Sequence, residues 1–318
     1  MKTGGVQVFS GSGNPALAAR ISEYLGAPLG EASIGRFPDG EIRLKLNEDV
    51  RGRDVFLVQP SCPPVNENLM ELLVMIDAAR RASARRITAV IPYYGYARMN
   101  RKDEGRVPIT AKLVANMLVT AGVNRVLTLD LHAMQIQGFF DIPVDHLFAA
   151  PFLAKAVRER GFTNLAVASP DVGSIKLART YASLLGASLV LVDKRRWSPE
   201  STEVSFVIGD VDGRDVLMVD DIISTGGSVS AAAQALKERG ARDIYVAATH
   251  AVLCGPALER LTAAPVKELF VTDSIPLMKL GEPLAGRFQV VSVAPLLGEA
   301  IRRIHDDVSV SALFKMFA

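Results

Sequence analysis

Val216-Leu-Met-Val-Asp220-Asp221-Ile-Ile-Ser224-Thr225-Gly226-Gly227-Ser228 concentrates more chemistry than any other stretch of this chain. An apolar strand runs into two adjacent acids, and a short loop of hydroxyls and glycines then opens a helix. Such a loop aims several backbone N–H groups and three hydroxyls at one phosphate, with the positive helix terminus behind them. Asp220 and Asp221, at the expected strand end, are placed to accept hydrogen bonds from sugar hydroxyls beside that phosphate. The same residues also fit a plain capped helix, with Ser224 or Thr225 as N-cap and the glycines making a tight turn. Two adjacent acids at a buried strand end are costly to place, and that cost tips the reading toward a ligand.

The elements that must carry this loop follow a strand, turn, helix rhythm. Apolar β-rich runs occur at Val6–Phe9, Val55–Val58, Ile87–Ile91, Val126–Leu129, Leu165–Ala168, Leu189–Val192, Val216–Val219, Ile244–Thr249 and Glu268–Thr272. Between them lie amphipathic stretches at Leu69–Arg81, Thr110–Ala121, Pro151–Arg160, Ile175–Leu185 and Ser228–Arg239, several closed by glycine. Continuous apolar strands alternating with helices predict parallel sheets covered on both faces, hence an α/β fold. Ligands then belong beyond the carboxyl ends of the strands.

The chain has 318 residues, enough for two domains at roughly 100–200 residues each. With no Gly/Ser linker to mark a boundary, the break is placed near Ala149–Pro151, giving domains 1–149 and 150–318 with the same strand and helix pattern in both. The tail from Asp306 is expected to pack onto the first domain or a neighbouring subunit. Hydrophobic residues are 49% and charged residues 22%, which excludes a disordered chain. Lys plus Arg number 36 against 34 Asp plus Glu, a net charge of +2. That balance speaks against bulk binding to nucleic acid or an anionic membrane. Two cysteines, Cys62 and Cys254, make neither a disulfide framework nor a four-cysteine metal cluster. The early VQVF run lacks the longer apolar core of a signal peptide, and no apolar run reaches the roughly 18 residues of a membrane span. A cytoplasmic location is expected.

The Val216–Ser228 segment resembles the phosphoribosyl-pyrophosphate motif of the type I phosphoribosyltransferase fold, and the wider chain resembles the ribose-phosphate pyrophosphokinases (phosphoribosyl pyrophosphate synthetases) nearly end to end. The residues that carry the resemblance include Gly35-Arg-Phe-Pro-Asp-Gly-Glu41, Ile91-Pro-Tyr-Tyr-Gly-Tyr-Ala-Arg98, Asp130-Leu-His-Ala, Gln135-Ile-Gln-Gly-Phe-Phe-Asp-Ile-Pro143, Ser169-Pro-Asp171, Asp193-Lys-Arg-Arg196 and Thr249-His-Ala-Val-Leu-Cys-Gly-Pro256. The resemblance implies two similar domains, each a mainly parallel sheet flanked by helices. It also implies an Mg²⁺-dependent enzyme that transfers the pyrophosphoryl group of ATP to the C1 hydroxyl of ribose 5-phosphate. The products would be AMP and 5-phosphoribosyl 1-pyrophosphate, for nucleotide biosynthesis.

Carried over position by position, Ser224, Thr225, Gly226, Gly227 and Ser228 would hold the 5-phosphate, and Asp220 with Asp221 the ribose. Lys194 and Arg196 would be the catalytic cations, on a flap leading into the polar, Pro-containing Trp197-Ser-Pro-Glu-Ser-Thr. A solvated basic turn is the bland alternative for them. His132 and Asp171 match magnesium-associated positions, although Mg²⁺ prefers oxygen ligands, so His132 could instead touch a metal-bound water or an ATP phosphate. Phe37, Asp39, Gly40 and Glu41 would form the turn around the ATP base and ribose, and Arg98 would reach the ATP phosphates beside Met99. In the family that turn serves a neighbouring subunit, which implies a homo-oligomer, commonly a hexamer.

Several residues depart from the commonest form of the family. Met99 replaces an amide, leaving only a thioether that can pack on a base. Asp103, Glu104 and Gly105 stand in a loop that is usually basic and contributes to a phosphate- and ADP-responsive site. Ser174 and Leu177 replace a frequent Gly and Arg. One further motif, Gly11-Ser-Gly13-Asn-Pro-Ala16, fits the dinucleotide fingerprint formally but reads equally well as an N-cap followed by Pro at the first helical position. The enzyme reading has two rivals: a phosphoribosyltransferase that consumes the same product, and a non-catalytic homologue that only assembles with an active subunit.

Overall fold

Apolar runs of about five residues separated by helices can bury both faces of a strand only inside a covered parallel sheet, and the chain builds two of them. The computed structural model describes residues 5–195, 204–277, 280–281 and 284–313. These residues divide into two compact units.

The first unit takes the chain up to Phe148, the short piece Ser274–Pro276 and the segment from Ser292. Its elements are β1 (Val6–Ser10), α1 (Pro15–Leu25), β2 (Leu29–Gly30), β3 (Ala32–Arg36), β4 (Ile42–Leu46), β5 (Asp54–Val58), α2 (Val65–Arg81), β6 (Arg86–Ile91), α3 (Thr110–Ala121), β7 (Arg125–Leu129) and β8 (Val144–Leu147). Among the described residues its main sheet is six-stranded and parallel, in the order β2-β1-β5-β6-β7-β8. The strands β3 and β4 form a separate antiparallel hairpin. Phe9, Leu57, Leu72, Met75, Ile76 and Leu118 anchor the core between sheet and helices, each with no exposed surface.

The second unit holds Ala149–Asp273 and Leu277–Val291. It contains α4 (Ala150–Arg158), β9 (Leu165–Ser169), α5 (Ile175–Leu185), β10 (Ser188–Arg195), β11 (Val204–Ile208), β12 (Asp215–Ile223), α6 (Gly227–Glu238), β13 (Ile244–Ala251), α7 (Ala257–Ala263), β14 (Glu268–Thr272) and β15 (Phe288–Val291). The sheet order is β11-β10-β9-β12-β13-β14-β15, parallel apart from the antiparallel β10–β11 pair. The expected α/β class with mainly parallel sheets is what the chain adopts.

The helix α8 (Ala294–His305) belongs to the first unit, so the units differ from a contiguous division at 149/150. Its attachment is specific. Buried Glu299 accepts from Tyr24 on α1 at 3.0 Å and from Arg303 Nε at 2.8 Å. His305 Nδ1 lies 2.9 Å from the fully buried carboxylate of Asp54, which Arg86 also engages through Nε at 2.8 Å. A buried carboxylate persists only when its oxygens are paired, and here α8 supplies part of that pairing.

Candidate active site

The Ser224–Ser228 loop joins strand β12 to helix α6 as expected, although the strand is longer than the sequence suggests. Strand β12 does not stop at Val219; Ile222 and Ile223 continue the ladder against His250 and Ala251 of β13. Asp220 and Asp221 therefore sit within the last turns of a paired strand, their backbones held and their side chains half-buried. Ser224 follows, its carbonyl accepting from Cys254 N at 3.0 Å and its hydroxyl 3.3 Å from the Cys254 thiol. Arg260 on α7 donates to the Thr225 carbonyl at 3.3 Å. The loop is thus held from behind, while Thr225 and Ser228 remain exposed.

Gly226 is the N-cap of α6, with φ 73° and ψ −1° in the left-handed region, and no side chain caps the helix. A Cβ there would be strained by the backbone and would sit 3.4 Å from the Ala257 carbonyl. The first-turn N–H groups of α6 have no side-chain cap competing for them, which is the arrangement that receives an oxyanion.

Next to the loop, three carboxylates meet. Asp171, in the turn after β9, accepts from Ser174 N at 3.0 Å. The Ser174 hydroxyl, at the N-cap position of α5, donates not to its own helix but to Asp220 Oδ1 at 2.8 Å. Asp220 Oδ1 also accepts from Asp221 N at 2.9 Å. Burial, together with the charges of Asp221 and Asp171, holds the Asp220 carboxyl well above the usual carboxylate range, and the Ser174 hydrogen bond only partly offsets this. Ser174 is the residue that sequence reasoning undervalued. It was noticed only as a departure from the family pattern, because its partner lies on a strand far along the chain.

Lys194 lies in β10, paired with Ser205 of β11, so the strand runs past Val192 into the stretch that the sequence reading assigned to a flap. Arg196 and the segment after it, read from sequence as a mobile flap, lie outside the described residues.

The remaining candidates are in the first unit. Phe37, Asp39, Gly40 and Glu41 form the β3–β4 turn, closed by Phe37 N to Glu41 O at 2.8 Å and Gly40 N to Phe37 O at 2.9 Å. Asp39 Oδ1 accepts from Glu41 N at 3.1 Å, and Gly40 takes φ 93°. Phe37 is 46% exposed, so its side chain is open to a stacking partner. Arg36 ties the turn to α2 by donating to Gly40 O at 3.1 Å and pairing with Glu67. Arg98 is exposed on the loop after β6, and Met99 beside it is half-buried, its backbone bonded to Tyr96 and Ala111. His132 is exposed in the turn after β7. His132 and Asp171 therefore belong to different units, and only Asp171, Asp220 and Asp221 meet within one of them.

The glycine motif after β1 holds the chain's own side chains. Glu71 accepts from Ser12 N at 2.6 Å and Ser12 Oγ at 2.7 Å, and Gln59 accepts from Gly13 N at 2.8 Å. Asn14 caps α1 by accepting from Leu17 N at 3.1 Å. The loop donors are spent internally, as the N-cap reading requires.

No trio of His, Cys, Asp or Glu is arranged to hold a metal ion among the described residues. Mg²⁺ usually keeps water and substrate phosphates in its shell and takes only one or two carboxylates from protein. Asp171, Asp220 and Asp221 offer hard oxygen donors and excess negative charge, and one or two of these carboxylates would suit such an ion. Cys62 and Cys254 are free, and no helix among the described residues is long and apolar enough to cross a membrane.

Comparison with known proteins agrees along the whole chain. The family described as the N-terminal domain of ribose phosphate pyrophosphokinase matches residues 6–122, and a phosphoribosyl synthetase-associated domain matches residues 196–315. The chain is 56% identical to a ribose-phosphate pyrophosphokinase of Rhodopirellula baltica, over 98% of each chain. It is 52% identical to one from Clostridium tetani, over 97% of each. In structure it resembles a phosphoribosylpyrophosphate synthetase from Mycobacterium smegmatis, with a TM-score of 0.89 and 40% identity, over 95% of this chain and 99% of that one.

Proposed function

The chain belongs to the ribose-phosphate pyrophosphokinase family, and from that premise we propose how its residues divide the work. The enzyme transfers the pyrophosphoryl group of ATP to the C1 hydroxyl of ribose 5-phosphate, releasing AMP and forming 5-phosphoribosyl 1-pyrophosphate.

The observation that carries the assignment of the sugar site is the Ser224–Ser228 loop at the uncapped start of α6, with Asp220 and Asp221 beside it. The 5-phosphate takes the N–H groups of that loop and the hydroxyls of Thr225 and Ser228. Asp220 and Asp221 accept from ribose hydroxyls and fix the sugar so that its C1 oxygen is presented for in-line attack on the β-phosphorus. Ser174 keeps Asp220 oriented. Phe37 stacks on the adenine, Asp39 and Glu41 accept from the nucleotide, and Arg98 binds its phosphates with Met99 packed alongside. Lys194 and Arg196 neutralise charge that builds on the transferring group, where such reactions gain most of their rate.

Asp171 and the adjacent acids would hold Mg²⁺, with His132 contacting it through water or an ATP phosphate. Bound there, the ion would screen charge between the phosphates and the carboxylates. The Phe37–Glu41 turn completes a neighbour's ATP site, so the active species is a homo-oligomer, a hexamer in its commonest family form, acting in the cytoplasm. Asp103 and Glu104 give this chain a weak response to inorganic phosphate.

Incubation with ATP, Mg²⁺ and ribose 5-phosphate should yield AMP and 5-phosphoribosyl 1-pyrophosphate in equal amounts. Folded protein that forms no AMP would overturn the assignment, and an active monomer in sedimentation would overturn the shared ATP site.

A further inference from the structure

His132 is carried on a turn that the backbone does not adopt willingly. Strand β7 ends at Leu129, and the next residue, Asp130, has φ 37°, a region where aspartate is better tolerated than most residues but still uncommon. Such a conformation persists where its surroundings hold it. Asp130 and Leu131 are both buried, so their consecutive N–H groups also need acceptors. The Asp130 N–H continues the parallel ladder and donates to Leu147 O on β8 at 3.0 Å. The Leu131 N–H has left the ladder, and it donates at 2.9 Å to Nε2 of His146, the residue before Leu147 on the same strand.

The His146 ring is built into this position. It is 5% exposed, pairs in register with Thr128, and packs against Phe148 with ring centroids 4.5 Å apart. Gln137 Nε2, which donates to Met134 O at 3.0 Å, lies 3.3 Å from Nδ1 on the ring's other side. The Leu131 N–H can only donate, so Nε2 is unprotonated and a neutral ring carries its proton on Nδ1, which leaves the Gln137 Nε2 approach as a packing contact between two donors, not a hydrogen bond.

We infer that His146 is a positioning residue for His132: its Nε2 holds the Leu131 N–H, and with the Leu147 carbonyl it clamps the strained Asp130–Leu131 step that sets where the next side chain points. The inference rests on the proposed role of His132 at the ATP phosphates. It concerns the first unit alone, whereas the ribose 5-phosphate loop lies in the second.

The test compares His146→Phe, His146→Gln, His132→Ala and the His132→Ala/His146→Phe double variant of the full-length enzyme. Phe keeps the ring and its packing but removes the acceptor, while Gln can place an amide oxygen near the position of Nε2. Displacing a working group by about 1 Å can cost on the order of 10²-fold in rate. His146→Phe is therefore expected to lower kcat by roughly 10–10²-fold with KM for ribose 5-phosphate little changed, and His146→Gln to recover most of that loss. Hydrogen exchange at the Leu131 amide should be slow in the wild type and His146→Gln, and fast in His146→Phe. The double variant should be no slower than His132→Ala.

Normal kcat in His146→Phe, with His132→Ala inactive, overturns the positioning role and leaves the reading of His132 standing. Normal kcat in His132→Ala overturns that reading and this inference with it. Should His146→Phe fail to fold, wild-type exchange decides, since an unprotected Leu131 amide contradicts the clamp and a protected one that His146→Gln preserves supports it.

Discussion

The Ser174 hydroxyl donates to Asp220 Oδ1 at 2.8 Å, linking the start of α5 to the last residues of β12. This hydrogen bond lowers the Asp220 carboxyl against burial and the neighbouring acids, which raise it. Ser174→Ala should therefore push Asp220 further up. A hydrogen bond to a charged group is worth about 1.5–3 kcal/mol and one pKa unit about 1.4 kcal/mol. The acid limb of kcat/KM for ribose 5-phosphate should move to higher pH by about one unit, with little change on the alkaline plateau. An unshifted limb would show that Asp220 does not govern it.

Asp220 itself carries a cost. Burial and the neighbouring acids push its carboxyl from the ordinary carboxylate range up to about 8, so its favourable contribution is fully present below the unfolded value and is lost as pH rises through the folded one. Without ligand or metal, Asp220→Asn should stabilise the protein, and its advantage should widen across that interval. The gain in Tm is expected to be largest above the folded value. Ribose 5-phosphate binding should weaken in the same variant. Melting curves with equal separation at acid and alkaline pH would refute the electrostatic explanation.

Thr225→Val removes a hydroxyl from the phosphate loop while keeping the side chain's shape. Loss of one hydrogen bond to a charged group predicts a rise in KM for ribose 5-phosphate of about tenfold or more. KM for ATP should hold. Equal loss for both substrates would take Thr225 out of the sugar-phosphate site.

Lys194→Ala and Arg196→Ala should each lower kcat by about 10²–10³-fold, the usual effect of removing one donor to developing charge. Substrate KM values should change far less. The two losses should not add, because both cations act on one transferring group. Near-normal kcat in either single variant would exclude that residue from catalysis.

Much of this arrangement can be read from local pattern. The helices α3 and α5 fall at Thr110–Ala121 and Ile175–Leu185, where amphipathic spacing and a following glycine put them. The Phe37–Glu41 turn is equally plain from its Pro and Gly, yet the strands on either side of it are not, since no residue of either is fully buried. Strand β12 was cut short at Val219 because two charges interrupt its apolar run. The ladder continues through them because the partner strand β13 is buried along its whole length. Ser174 and His146 mark the limit of such reading. Their roles depend on partners 46 and 15 residues away, brought close only by the sheets. No local signal distinguishes a serine that caps its own helix from one that braces a carboxylate elsewhere.

The place of α8 bears on how the protein is made. On the ribosome, the sheet of the first unit emerges early, but Asp54 lacks His305 and Tyr24 lacks Glu299 until α8 has been made, after the whole second sheet. The second unit, encoded between these pieces, has all its strands before α8 exists. The later-made unit can therefore reach its finished form first, while the earlier one waits with an apolar face of α1 and a buried acid uncovered. Chains truncated by premature termination would carry that exposed face permanently, which marks them as substrates for chaperones and proteases.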